Sequence, residues 1–449
     1  MQSLLTCFVV LGPLLFANTL AWSPTDPGSI SRRDALSAPV PPSQDPFYTP
    51  PPYFEYSAPG AVLRIREAPG NLTDIVVNSS KAYHIVYRTT DSLYKPAWAV
   101  TTLFVPKKPL PHDQTTTSPS TNPTAQKNAL LSYQIPYNTP DVDGSPSYGL
   151  YNIFAEGSIG LPPTTDDIAG ALGLGWYVVV PDFEGPQAAF FAGPQEGHAV
   201  IDSVRAVYAT DLVPLSPANT RAALWGYSGG SIASGFAAEL APAYAPELAL
   251  AGVALGGLVP NVTQALGYIN KQPYAGLLVS VLLGVTAQEP WARNFLVGKL
   301  KTEGPYNATG FLAALHMPIT EIFAAYPGQD ISDYFVDGWA LLEDPKMKAL
   351  LGKNAYAGRH GVPQTPVFAY KAIGDEFSNV TESDRLIESW CELGVDVLYQ
   401  RNTIGGHVTE NINGKPRAMA WLSSVLDGKY SASGCTWQDV TVNLTASVA

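Results

Sequence analysis

The chain has 449 residues, of which 46% are hydrophobic and 14% charged, and its net charge is −12. So much apolar sequence excludes a disordered or coiled-coil protein, and an acidic balance without a Lys/Arg cluster argues against nucleic acid or an anionic membrane as partner. Its 40 prolines and 39 glycines suit strands, loops and helices with long connections, not a helix bundle.

The chain opens on Leu4–Leu15, an apolar stretch of signal-peptide length. It falls short of the roughly 18 residues that a membrane span needs. Thr19-Leu20-Ala21 places small residues before a cut at Trp22, so 1–21 reads as the signal peptide of a secreted protein; a buried N-terminal helix is the bland alternative. Arg32-Arg33 reads either as a dibasic processing site that releases a pro-segment 22–33, or as an exposed pair without a role. Asp34–Gly60 is an extended arm rich in Pro, Ser and Tyr.

Two β-rich runs follow, Tyr83–Arg88 and Ala97–Val105, close enough to pair antiparallel. Pro109–Gln126 is a polar loop. Short apolar runs then read as buried parallel strands: Ala129–Ile135, Trp176–Val180, Ala222–Gly226, Leu250–Leu255, Pro366–Lys371 and Val395–Gln400. Helical patterns lie between them at Gly197–Leu212 and Ser231–Leu240, and a last helix is predicted over Lys415–Leu426. This alternation predicts an α/β protein with a mostly parallel sheet and helices on both faces. From about Gly256 to Gly361 no strand pattern occurs. Tyr274–Val285, Trp291–Leu300 and Gly310–Tyr326 read there as apolar helices. The expected division is a core of 34–256 and 363–449 with a helical cap, 257–362, over the sheet's C-terminal edge.

The chemistry rests on Gly226-Tyr227-Ser228-Gly229-Gly230, a G-x-S-x-G between a predicted strand and a predicted helix. That setting presents a serine Oγ above the sheet, with small residues where strand and helix crowd the turn. Ser228 is therefore the expected nucleophile. In this architecture the acid and then the histidine follow in the chain. His316 falls in the cap and His360 precedes the acid-bearing strand, which leaves His407, in Gly405-Gly406-His407, at the start of a loop past the last strand. The acid is expected in Gly374-Asp375-Glu376. Asp375 is chosen, Glu376 is the runner-up, and Asp384 and Asp396 fit worse. The expected oxyanion donors are the N–H of Gly229 and a group after Ala129–Ile135, read as the N–H of Asn138 with Tyr137 or a plain turn as alternatives.

Cys7 lies in the signal, leaving Cys391 and Cys435 as an even pair in an oxidising compartment. A disulfide is the natural inference, and two separate buried thiols the alternative. Two cysteines without paired histidines make no zinc set, and no metal or cofactor is expected. Six sequons, at Asn71, Asn78, Asn261, Asn307, Asn379 and Asn443, are candidate glycosylation sites.

Several of these segments taken together resemble a known family. Tyr227–Gly230, Ala243-Tyr244-Ala245-Pro246-Glu247-Leu248, Asp182-Phe183-Glu184-Gly185, Ile373–Glu376 and Gly406-His407-Val408-Thr409-Glu410 look like the fungal secretory lipases related to lipase A of Candida antarctica. Asp45-Pro46-Phe47-Tyr48 and Tyr87-Arg88-Thr89-Thr90 match as well. The resemblance runs from about Asp45 to Cys435. It implies an α/β-hydrolase fold with a helical cap, a triad of Ser228, Asp375 and His407, a second oxyanion position at Asn138, and a Cys391–Cys435 pairing. Gly144 stands where one partner of a second disulfide would be. Only 14 residues follow Cys435, and by the resemblance part of the site is expected to be less covered than in lipase A.

The implied activity is that of a secreted serine ester hydrolase acting on acylglycerols or other acyl esters, possible at a lipid–water interface and without a membrane span or nucleic acid. A monomer is expected. One alternative is an acetylesterase acting on an acetylated secondary metabolite, since some members of the family do so. An alternative of another class is a non-catalytic binding protein on the same fold, against which both Ser228 and His407 stand.

Overall fold

A computed structural model describes residues 37–110, 127–154 and 163–444. The signal peptide, the pro-segment with Arg32-Arg33, and most of the Pro109–Gln126 loop lie outside these residues.

Ten strands form one sheet in the order β1-β2-β3-β5-β4-β6-β7-β8-β9-β10. They are β1 (Val62–Glu67), β2 (Ser79–Thr90), β3 (Pro96–Pro106), β4 (Asn128–Gln134), β5 (Tyr177–Pro181), β6 (Thr220–Tyr227), β7 (Leu250–Gly256), β8 (Val367–Ala372), β9 (Val397–Asn402) and β10 (Cys435–Val440). The first three strands and β5 pair antiparallel; β5, β4 and all later strands run parallel. Every residue of β4, β5 and β8 is buried, as expected where helices cover both faces of a parallel sheet.

The helices Gly193–Tyr208 and Gly229–Tyr244 pack against each other beside the sheet, and His407–Leu426 packs on β6, β7 and β8. This last helix starts eight residues before the predicted Lys415, so His407 is the first residue of a helix and not part of a loop. Pro416 lies inside it, which is why its sequence reads as a later start. Thr409 Oγ1 accepts the Gly406 N–H at 2.8 Å and secures the true beginning.

Two strands were not expected. β1 is only partly buried and lacks an apolar run. β10 is mostly exposed and pairs parallel with β9 at the sheet edge. The Cys391–Cys435 disulfide fixes β10 to the helix Val380–Glu392, with the two Cα atoms 5.5 Å apart across a sequence separation of 44.

Between β7 and β8 the chain forms helices and two isolated bridges, Asn261↔Tyr356 and Leu300↔Phe335. The helix Gly276–Val285 is buried at all ten positions. The expected helix Gly310–Tyr326 is instead broken into Ala308–Leu312, a 3-10 turn Ala313–His316 and Ile319–Ala325. Pro318 accounts for the break, because it disfavours helical backbone at Met317.

Candidate active site

Ser228 sits between β6 and the helix Gly229–Tyr244, with φ 53° and ψ −121°, a strained conformation for a residue with a side chain. Strand and helix meet there too closely for anything but glycine on either side. A Cβ on Gly226 would lie 2.0 Å from the Gly230 carbonyl oxygen, and one on Gly230 would lie 2.0 Å from that of Gln134.

The structure brings Ser228, His407 and Asp375 into one hydrogen-bonded chain. Ser228 Oγ is 2.8 Å from His407 Nε2, and His407 Nδ1 is 2.7 Å from Asp375 Oδ2. Asp375 Oδ1 accepts the backbone N–H groups of Phe377 and Ser378 at 2.9 and 3.0 Å. Burial alone would raise the Asp375 carboxyl, but His407 and Lys371 facing it outweigh that and hold it well below the usual carboxylate range. Glu376 does not reach the ring. Its Oε2 accepts the His407 backbone N–H at 2.7 Å and so places the start of the last helix. Tyr227 Oη donates to the His407 carbonyl at 2.6 Å, and the Phe377 ring stacks on the imidazole at 4.3 Å.

The other candidates lie elsewhere. His360 is beside Glu239, Asp384 pairs with Arg401, and Asp396 accepts from Tyr430 and Ser433. His316 ends the 3-10 turn Ala313–His316.

Gly229 opens the helix, so its N–H stands at a helix N-terminus, where negative charge is favoured. Asn138 has φ 47°, and its side chain lies directly over Gly229: a Cβ there would come within 1.9 Å of Asn138 Oδ1. That buried oxygen has no hydrogen-bond partner, and a half-turn of the amide would present Nδ2 at the same place. The Asn138 and Thr139 N–H groups face the buried Glu184 carboxyl, although neither of its oxygens makes a hydrogen bond of normal geometry. Burial and the facing Glu196 push Glu184 well above the usual carboxylate range. Asn138 thus lies beside Gly229, with its side chain against the Gly229 α-carbon.

Two cavities meet at Ser228. A cleft of about 840 Å³ opens on the His407 side, with Phe154, Tyr274, Phe323 and Phe377 in its walls and Asn411 and Lys415 among its polar groups. A chamber of about 400 Å³ lies on the other side, under the helices Val262–Ile269 and Gly276–Val285, and His407 does not border it. Asn138, Ser228, Leu277 and Phe377 border both.

Sequence reasoning missed the places that Lys371, Tyr227 and Phe377 take around the triad, and the packing of the Asn138 side chain on Gly229. Only Lys371 left a signal, as a lysine in an otherwise apolar strand four residues before Asp375. Among the described residues no group of three His, Cys, Asp or Glu is placed to hold a metal, and no helix is long and apolar enough to cross a membrane.

A strand-turn-helix serine joined to a histidine and an acid, above a mostly parallel sheet, defines an α/β-hydrolase. The family model described as Secretory lipase matches residues 164–434. The trichothecene C-3 esterase of Fusarium sporotrichioides is 47% identical over 92% of this chain and 90% of its own. Lipase A of Arthroderma benhamiae is 34% identical over 91% and 85%. The solved structure of Candida antarctica lipase A in its closed state matches with a TM-score of 0.75 at 26% identity, covering 90% of this chain and 91% of that one. The chain belongs to the secretory lipase family, and it is a carboxylic ester hydrolase.

Proposed function

We propose that the protein is a secreted serine esterase that removes a short acyl group from a bulky, largely apolar alcohol. Ser228 Oγ attacks the ester carbonyl while His407 Nε2 takes its proton, and Asp375 Oδ2 holds the Nδ1–H and stabilises the imidazolium. The oxyanion is met by the Gly229 N–H and Asn138. The C–O bond to the alcohol breaks as Nε2 returns the proton to the leaving oxygen. Water then repeats the sequence on the acyl-enzyme and releases the acid.

The observation that carries the substrate reading is the position of His407. The leaving alcohol must take its proton from Nε2, so it occupies the cleft that His407 borders. That cleft is the larger and is walled by aromatic rings, which suits a rigid polycyclic alcohol. The acyl group is left with the smaller apolar chamber. Kinship with esterases named for trichothecenes supports the same reading. In this scheme 257–362 is the cap that roofs both cavities, on a core of 34–256 and 363–449, and the protein acts as a monomer. Of the six sequons, Asn71, Asn78 and Asn443 are exposed and are the sites proposed to carry glycans. Asn261, Asn307 and Asn379 are half-buried, and each caps a helix with its side chain.

The test is kcat/KM on p-nitrophenyl esters from acetate to palmitate, beside an acetylated trichothecene and a triacylglycerol emulsion. We expect a maximum at or below about eight carbons and preference for the acetylated polycycle; the apolar term is about 0.8 kcal/mol per buried CH₂. A steady rise to palmitate with a jump at the interface would mark a lipase instead. Failure to react with a fluorophosphonate would mark a binding protein.

A further inference from the structure

Lys371 lies on β8 with its side chain fully buried. A buried ammonium is costly unless paired, and an apolar residue fills such a place at less cost. Its Nζ donates to Asp375 Oδ2 and to the Leu258 carbonyl, both at 2.8 Å. The reaction as written makes no use of it: the triad needs only the carboxylate, and Asp375 Oδ1 is already held by two backbone N–H groups.

Lys371 Nζ and His407 Nδ1 share one oxygen, at 2.8 and 2.7 Å, and are therefore no more than about 5.5 Å apart. When Nε2 takes a proton, the new imidazolium meets a carboxylate whose field the ammonium partly cancels. We propose that Lys371 is a positioning residue that balances the Asp375 charge, making His407 a weaker base and keeping it competent at lower pH than a carboxylate standing alone would allow. This rests on the triad reading above.

The surrounding charges leave that balance to Lys371. Glu376 accepts the His407 backbone N–H and adds negative charge. Glu410, on the last helix, is held by Arg417 and Asn402. Lys415, on the cleft wall, is paired with Asp167. The phenols facing the pair are Tyr227 of β6 and Tyr399 of β9, with Tyr274 of the helical segment facing Glu376, and burial raises each and keeps it neutral. At an effective dielectric near 20, charges at this separation change a proton affinity by about a hundredfold, and by less for the part of the imidazolium charge that lies at the more distant Nε2.

The test is the pH profile of kcat/KM for p-nitrophenyl acetate, measured on the full chain as wild type, Lys371→Met and Lys371→Gln, with active sites counted by fluorophosphonate. Lys371→Met should move the acid limb up by about one pH unit, with the plateau falling by no more than about tenfold. Lys371→Gln keeps a donor without the charge and should move the limb as far. An unmoved limb in Lys371→Met, or a Gln profile that overlays the wild type, overturns the proposal. If neither variant folds, Lys371 is a structural group and the proposal is equally overturned. Ser228→Ala run alongside separates the two ideas: its survival condemns the triad reading, whereas an inactive Ser228→Ala with an unmoved limb condemns the Lys371 proposal alone.

Discussion

The turn that carries Ser228 and the helical segment above it are held in different ways. At the turn, backbone presses on backbone, so Gly226 and Gly230 have a single steric solution and Ser228 is forced to positive φ. Above it, the helices Val262–Ile269 and Gly276–Val285 meet the cavities through side chains such as Leu266, Leu277 and Val281. Gly267, in the first of them, has nothing within 4 Å of where a Cβ would stand. The helix Gly276–Val285 is also pinned on backbone, at Gly276 by the Ile322 carbonyl and at Gly284 by Phe190, but the groups it turns to the cavities are side chains. In the proposed scheme chemistry is built where nothing has room to move, and substrate selection where side chains can be exchanged. Changes at the turn should cost rate on every ester, and changes in the helical segment should cost rate on some esters and not others.

The largest effects test the first half of that contrast. Ser228→Ala should fold normally and lose about 10⁴-fold or more in kcat on every ester. Retained activity within tenfold would remove Ser228 from the reaction. Asp375→Asn should cost about 10⁴-fold. Glu376→Gln keeps a group that can accept the His407 backbone N–H and should cost far less. If the order is reversed, the acid has been misassigned.

Next comes Gly229→Ala. Its Cβ would lie 1.9 Å from Asn138 Oδ1, so it displaces the residue proposed to meet the oxyanion. Loss of one such donor costs about 10²–10³ in kcat. Gly235→Ala, on the same helix with nothing within 4 Å of the new atom, is the control and should leave kcat within about twofold. Equal effects of the two would show that the loss comes from the helix and not from Asn138.

The same contrast explains what could be read from the sequence. The nucleophile turn was legible because backbone crowding restricts residue type, and glycines around a serine are what it admits. His407 was legible from chain order, and Asp375 from its place just past a predicted strand, after Gly374, with Glu376 as the runner-up. The parallel strands were legible as apolar runs. The start of the last helix was not, because Pro416 reads as a boundary while the cap that sets the true start is a single hydrogen bond from Gly406 to Thr409. β10 was missed because it is mostly exposed and held by a disulfide and an edge ladder, which leave no apolar pattern. Lys371 was passed over because a lysine's burial depends on a partner four residues away that only the folded turn brings back to it.

The disulfide carries a smaller effect, on stability. A loop of this length corresponds to about 3–4 kcal/mol in the chain-entropy model. Cys435→Ser should lower the melting temperature by several degrees while kcat at 25 °C stays within about twofold, because β10 lies at the sheet edge, away from β6 and β8. A comparable loss of kcat would mean that the edge strand supports the site.

The smallest expected effect is the most selective, and it falls in the helical segment. Val281 is on the helix Gly276–Val285 and borders only the smaller chamber, the proposed acyl side. Val281→Phe adds bulk into that chamber without approaching His407, which borders the other cavity. An octanoyl chain that loses two methylenes' worth of apolar contact forfeits about 1.6 kcal/mol, at about 0.8 per CH₂. That corresponds to a little over tenfold in kcat/KM, because the contact is made in the transition state as well as in the bound ester. An acetyl group does not extend beyond the reacting carbon's neighbourhood, so p-nitrophenyl acetate should stay within about twofold. The measurement is the ratio of kcat/KM for octanoate and acetate in the variant against the wild type. A tenfold fall in that ratio places the acyl chain under the helix. An equal fall for both esters would mean that the phenylalanine disturbed Ser228 itself, and an unchanged ratio would mean that the chain lies in the cleft beside His407, with the two cavities assigned the wrong way round.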